Sequence, residues 1–284
     1  MIIAETIAQV REVIAGVRAS GKTIGCVPTM GGLHEGHLSL LRRCRAECDF
    51  AVVTIFVNPT QFGPGEDLES YPRTFEADRA ACEEIGVDLI FAPSVKEMYG
   101  EENLSWVNVE KISSHLCGAS RPHFFRGVCT VVAKLFNIVT PDIAYFGQKD
   151  AQQLAVIRRM AADLNFFVEI RSCPTVREAD GLALSSRNQY LDADQRRQAV
   201  CLSRALERAR QLVASGETNP GAVIAAMKEI IARESQGRID YISIVDNELL
   251  QPVARIDRPV LIALAVHLGT ARLIDNITAA PAKK

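Results

Sequence analysis

VPTMGGLHEGHLSLLRR, Val27 to Arg43, leaves a short apolar run through a proline and a Gly–Gly pair, sets two histidines three residues apart, and continues as a helical stripe. Lys22 to Val27 reads as a strand, and Leu38, Leu40 and Leu41 with Cys44 and Cys48 read as one face of a helix. The turn between them therefore stands at the carboxyl end of a strand and the amino end of a helix. Gly31 and Gly32 let the backbone approach a ligand closely, and the first amides of a helix are unpaired donors that suit an anion. His34 and His37 then admit two roles. They can donate hydrogen bonds to a phosphate and steady the charge that develops there, or they can cap the helix and face solvent. A zinc site would need Cys or His partners at spacings this stretch lacks.

The same alternation continues along the chain. DFAVVTIFVNP (Asp49 to Pro59) and VDLIFAP (Val87 to Pro93) are nearly unbroken apolar runs, the pattern of strands covered on both faces. DIAYFG (Asp142 to Gly147) and FFVEIRS (Phe166 to Ser172) read as further strands. Phe75 to Ile85, Val128 to Val139 and Asp150 to Leu164 read as helices, and so does the opening MIIAETIAQVREVIAG. Strands alternating with helices imply right-handed βαβ units and a Rossmann-like, doubly wound parallel sheet. The texture changes after Pro174. READGLALSSRNQYL is a polar connection, Asp192 is a candidate cap for a helix reaching Gly216, and Asn219-Pro220 opens another. Ile239 to Val245, Val260 to Val266 and Arg272 to Ile277 then lie close enough for an antiparallel sheet. The expected architecture is α/β in two domains: residues 1–175 as the ligand-binding sheet and residues 176–284 as a smaller α+β domain, with a disordered tail from Ala279 to Lys284.

Composition narrows the function classes. The 284 residues are 48% hydrophobic and carry a net charge of −2, without the basic excess of nucleic-acid or membrane-surface proteins. The amino terminus has an acid where a signal peptide wants basic residues, and Val260 to Val266 is far shorter than the roughly 20 residues a bilayer needs. The expectation is a cytoplasmic protein with no nucleic-acid and no membrane partner. Eight scattered cysteines without a CxxC pair read as small core residues.

Two more stretches belong with the first. FGQKDAQQL (Phe146 to Leu154) again joins a strand to a helix, with Gly147 for close backbone approach and Lys149 as a charged hook. ALSSRN (Ala183 to Asn188) offers two hydroxyls and a guanidinium, and arginine grips phosphate through two parallel hydrogen bonds. Each alone is an ordinary helix start or linker; together on one α/β sheet they describe a nucleotide site.

HEGH resembles the HxGH signature of the nucleotidylyltransferase superfamily, and LSSRN its second phosphate-binding loop. PTMGGLHEGH, FVNPTQFGPGEDLESYPRT, FGQKDAQQL and PTVREADGLALSSRN, in that order, resemble more closely the family of pantothenate synthetases, the pantoate–β-alanine ligases. That resemblance implies an ATP-dependent ligation of pantoate and β-alanine to pantothenate through a pantoyl adenylate, releasing pyrophosphate and AMP, with Mg2+ required and a homodimeric assembly. It implies an ATP site lined by Met30, Gly31, Gly32, Leu33, His34, Glu35, Gly36 and His37 and by Gly147, Gln148, Lys149 and Asp150. Val176, Leu184, Ser185, Ser186 and Arg187 would close over it, which makes residues 176–284 a lid. His37, His34 and Lys149 would be the catalytic groups. Gln61 and Gln153 would hold pantoate, Gln61 also touching β-alanine, with Asn58 and Tyr71 near the acyl pocket and Asp78 helping to place magnesium.

The chemistry of the residues agrees with this. Activating a carboxylate with ATP needs no covalent nucleophile; it needs two anions brought together and a leaving pyrophosphate stabilised. Three departures from the family pattern stand out. Gln148 replaces the acid of GEKD, and Leu184 replaces a methionine of similar volume. RPHFFRGV puts His123 one place earlier than the family histidine, so no role is assigned to it. Two other classes compete: a nucleotidylyltransferase with a phosphate-bearing acceptor, and a non-catalytic nucleotide sensor. NPTQFGPGEDLESYPR is amide-rich and acidic until Arg73, which favours an acceptor without phosphate. AMP release separates an enzyme from a sensor.

Overall fold

A computed structural model describes residues 1–282 of the chain, so Lys283 and Lys284 of the expected disordered tail lie outside the described residues. In chain order, β1 (Ile2–Ala4), α1 (Ile7–Ala19), β2 (Ile24–Thr29), α2 (Glu35–Glu47), β3 (Phe50–Ile55), α3 (Phe75–Ile85), β4 (Leu89–Phe91) and α4 (Val95–Tyr99) come first. They are followed by α5 (Cys117–Ser120), α6 (Phe124–Val139), β5 (Ile143–Gly147), α7 (Ala151–Asp163) and β6 (Glu169–Cys173). The chain then runs through α8 (Ala193–Ala199), α9 (Cys201–Ala214), α10 (Pro220–Glu234), β7 (Arg238–Asp246), β8 (Val260–Leu268) and β9 (Ala271–Ala279). Two compact units result. One comprises Met1–Glu110, Arg121–Gln148 and Val156–Pro174; the other comprises Lys111–Ser120, Lys149–Ala155 and the chain from Thr175 onward.

The first unit holds a six-stranded parallel sheet in the order β1-β4-β3-β2-β5-β6. From β2 the chain winds outward through β3 to β4, then returns to place β5 on the other side of β2. The strand order therefore switches between β2 and β5, and in open α/β sheets the crevice beyond the carboxyl ends at such a switch is where ligands bind. Phe50 to Val53 and Thr54 of β3 are all buried, which is why that run is apolar without alternation. Between β2, α2 and β3 the core gathers Val27, Leu41, Cys44, Ala51 and Val53.

The second unit carries the antiparallel sheet β7-β8-β9. Leu202, Leu206 and Val213 of α9 and Val223, Met227 and Ile231 of α10 share one buried cluster with Ile262, Leu264 and Val266 of β8. The doubly wound sheet and the smaller antiparallel one are the fold class expected from the alternation.

The structure differs from the expectation at several boundaries. Ile2–Ala4 is not the start of a helix but an edge strand paired in parallel with Leu89–Phe91; three residues are too few to show a period. α6 starts one turn before Val128, taking in Phe124 to Gly127. The helix from Asp192 to Gly216 is two helices that meet at Val200. At the far end β9 runs to a buried Ala279, so that tail residue belongs to the sheet. All eight cysteines are buried free thiols; burial pushes the Cys26 thiol up to about 12, which suppresses the reactive thiolate.

Candidate active site

β2 ends at Thr29, whose hydroxyl donates to the Thr54 carbonyl (2.6 Å) and accepts from the Gly31 amide (3.2 Å). Gly31 and Gly32 then take left-handed conformations, φ +83° and +62°, a region where a side chain is strained. This double turn reverses the backbone so that two successive amides face one acid. Asp78, near the start of α3, is 3% exposed and accepts from Gly32 N at 3.0 Å and Leu33 N at 2.8 Å. Thr74 Oγ1 donates to the same carboxylate at 3.2 Å.

His34 caps α2: its Nδ1 accepts from Gly36 N at 3.1 Å. His37, one turn on, accepts from His34 N through its own Nδ1 at 3.4 Å, closing a reciprocal capping box. The two rings lie 4.1 Å apart. An Nδ1 that accepts a hydrogen bond places the ring proton on Nε2. Both imidazoles are thus set as Nε2–H donors by the backbone of the turn they cap, so capping orients the rings. Glu35 pairs with Arg42, whose hydrogen bond holds the Glu35 carboxyl below the usual range.

Across the switch, β5 ends at Gly147, and Gln148 to Asp150 form a single 3-10 turn before α7. Gln148 is exposed. In the second unit, the Lys149 ammonium lies 3.7 Å from Asp150, and the Lys149 carbonyl accepts from Asn276 Nδ2 of β9 at 2.8 Å. Gln153 is half-buried in the first turn of α7. Its neighbour Gln152 is buried and bonds the backbone of Ile112, His115 and Cys117, fixing that segment. Leu184 N donates to the Val176 carbonyl at 3.0 Å, so both belong to one tight hairpin. The Arg177 guanidinium anchors that hairpin on buried Asp275 through two hydrogen bonds, 2.6 and 2.9 Å. Ser185 caps the short turn Ser186–Tyr190 by accepting from Arg187 N.

The expected acyl-pocket residues lie in the first unit. Asn58 is 1% exposed and caps the turn Pro59–Gln61. Its Oδ1 accepts from Tyr99 OH (2.7 Å) and Thr60 Oγ1 (2.9 Å), and its Nδ2 donates to Gln61 Oε1 (3.0 Å) and the Gly127 carbonyl (3.2 Å). The Gln61 amide is therefore oriented with its oxygen toward Asn58 and its Nε2 as donor, which meets Met30 Sδ at 2.9 Å. A Cβ on Gly127 would sit 2.3 Å from the Thr60 carbonyl, so α6 can approach this turn only with glycine there. Tyr71 is buried edge-on to Phe62. His123 is exposed at the start of α6. Thr60, Tyr99, Gly127 and Asn276 were not singled out from sequence. Two adjacent polar residues, Asp275 and Asn276, within the strand Ala271–Ala279 were the one available signal for the last. Among the described residues no group of three or more His, Cys, Asp or Glu side chains stands together to hold a metal ion.

A doubly wound sheet whose switch-point turn ends in HEGH, with two imidazoles capping a helix start, defines an α/β protein of the nucleotide-binding class. The sequence profile "Pantoate-beta-alanine ligase" matches residues 2–278, and the chain belongs to that family. The pantothenate synthetase of Thermotoga petrophila is 56% identical over 276 residues, 97% of this chain and 99% of that protein. That of Caldicellulosiruptor saccharolyticus is 53% identical over 277 residues, 98% and 99%. The crystal structure of pantothenate synthetase from Thermus thermophilus superposes with a TM-score of 0.94 at 46% identity, covering 99% of this chain and 100% of that one. A pantoate–β-alanine ligase of Francisella tularensis, solved with βγ-ATP and β-alanine, has a TM-score of 0.81 at 35% identity, covering 98% and 97%.

Proposed function

We propose that this chain joins pantoate to β-alanine at the expense of ATP, with the triphosphate meeting the HEGH turn. Pantoate's carboxylate oxygen attacks the α-phosphorus; the bond from that phosphorus to the bridging oxygen breaks, and pyrophosphate leaves. The amine of β-alanine then attacks the acyl carbon of the pantoyl adenylate, the acyl–oxygen bond breaks, AMP leaves, and the amide nitrogen sheds its proton. The observation that carries this reading is the fixed orientation of His34 and His37: Nδ1 on each ring is held by backbone, which makes Nε2 the donor. Donors fixed beforehand stabilise charge that appears only in the transition state.

The other roles follow the family pattern residue by residue. Met30, Gly31, Gly32, Leu33, Glu35 and Gly36 line the nucleotide site with Gly147 and Gln148. Lys149 and Asp150 line it as well, with Val176, Leu184, Ser185, Ser186 and Arg187 as the closing residues. Lys149 neutralises charge on the leaving pyrophosphate. Gln61 offers Nε2–H to the pantoate carboxylate, and Gln153 a second amide. Asn58 acts through Gln61, because its own amide atoms are already bonded. Tyr71 closes the apolar side. Mg2+ would neutralise phosphate charge and is commonly held by one or two carboxylates together with substrate phosphates and water. The assembly is a homodimer and the compartment the cytoplasm. No described helix is long and apolar enough to cross a membrane.

Exchange of labelled pyrophosphate into ATP tests the reading. It should require pantoate and proceed without β-alanine, and adding β-alanine should yield pantothenate by mass. Exchange that appears only when β-alanine is present would overturn the adenylate route.

A further inference from the structure

The double-glycine turn that precedes the two histidines is held from outside its own sequence by one acid. Asp78 is buried, and three donors converge on its carboxylate: two consecutive amides of the turn and the Thr74 hydroxyl. Gly31 makes room for it, since a Cβ there would lie 3.0 Å from Asp78 Oδ2. A magnesium ligand needs oxygen lone pairs turned to the ion and usually shares it with waters and phosphates. This carboxylate is turned into the protein, and both its oxygens accept from protein donors.

We propose that Asp78 is a positioning residue for the nucleotide-activating step and not a magnesium ligand. It fixes Gly32 and Leu33, hence the backbone of His34, whose amide in turn orients the His37 ring. The carboxylate is suited to this because two parallel N–H donors can be satisfied only by a group with acceptors on both arms. An asparagine would turn an NH2 toward one of them and leave an amide proton facing a donor. The inference rests on the reading that the HEGH turn receives ATP, so wild-type exchange is measured in parallel. A wild-type protein without exchange would sink that reading, whereas normal exchange in both proteins would sink only the assignment of Asp78.

The decisive measurements use Asp78→Asn. In the ligand-free protein, the imidazole nitrogen signals of His34 and His37 should shift in NMR spectra. The turnover rate of pyrophosphate exchange should fall about tenfold or more, as expected when a buried amide loses its acceptor. The pantoate KM and the magnesium concentration at half-maximal rate should be unchanged. Thr74→Val, which leaves both amide bonds intact, should cost less than about threefold. Should Asp78→Asn not fold, Asp78→Glu, which keeps the charge and displaces the oxygens by one methylene, carries the same measurements. Wild-type crystals with ATP and Mn2+ add a test free of substitution: the anomalous peak should show no bond to Asp78 at the roughly 2.1 Å of a direct ligand. Such a bond, rescue of Asp78→Asn by raised magnesium, unmoved histidine signals, or an equal loss in Thr74→Val would each overturn the proposal.

Discussion

The turn after β2 and the turn after β5 both leave a parallel strand for a helix, yet different means hold them. Between Thr29 and Glu35 the chain uses two left-handed glycines, a buried carboxylate accepting two amides, and a two-histidine capping box. Between Gly147 and Ala151 it makes one 3-10 turn, and the Lys149 carbonyl is held by one neutral amide, Asn276. The first is a backbone locked around two rings whose donor atoms must point one way. The second carries a long flexible ammonium, which needs less exact support because a point charge acts over distance. The difference teaches that one strand-to-helix connection can be held by a locked backbone and another by a single turn with one side-chain bond.

Removing the two proposed phosphate-facing side chains should give the largest effects. His37→Ala and Lys149→Ala should each slow pyrophosphate–ATP exchange by roughly a hundredfold or more, since one preorganised donor contributes about 2.7–4 kcal/mol. The loss should lie in turnover more than in ATP affinity. A Lys149→Ala protein exchanging at the wild-type rate would leave the second turn a mere helix start and end the parallel between the two.

A smaller and more selective effect is expected at Gln61, whose Nε2 is aimed by Asn58. Gln61→Ala should lower kcat/KM for pantoate by roughly 1–3 kcal/mol, the range for a buried polar group stripped of its partner. ATP binding measured alone by calorimetry should change little. Equal losses in both would move Gln61 from the acyl pocket to the phosphate turn.

The least effect is expected from the support of the second turn. Asn276→Ala removes one neutral hydrogen bond to the Lys149 carbonyl, worth about 1 kcal/mol, so exchange should slow by about fivefold. That is well short of Lys149→Ala. Losses of equal size in the two variants would mean that the second turn depends on backbone placement as strongly as the first.

The order of elements, the parallel sheet and its smaller antiparallel companion were legible in the sequence, because burial on two faces writes unbroken apolar runs and burial on one writes a period. Asp192 and Asn219 were legible as caps, since capping is local chemistry. Short elements were not: Ile2–Ala4 is a strand through its pairing with Leu89–Phe91. Around the two turns, HEGH and GQKD stood out in the sequence by residue type and spacing. Tyr99 and Gly127 did not, because their contact with the Asn58–Gln61 turn spans 41 and 69 residues in sequence.

By itself the sequence determined the fold class, the family, and which groups are chemically able to meet phosphate and a small hydroxy acid. It could not determine which atom of each group donates and which accepts. Local folding settled two of these: an Nδ1 filled by the backbone of its own turn sets Nε2 as the donor, and an amide oxygen filled by Asn58 sets Nε2 of Gln61. Tertiary structure decided the third, since Asp78 lies 46 and 45 residues along the chain from the two amides that draw its carboxylate to the turn it holds. Hydrogen bonds are directional and each atom's capacity is small, so what a residue offers a substrate depends on what the rest of the chain has already taken.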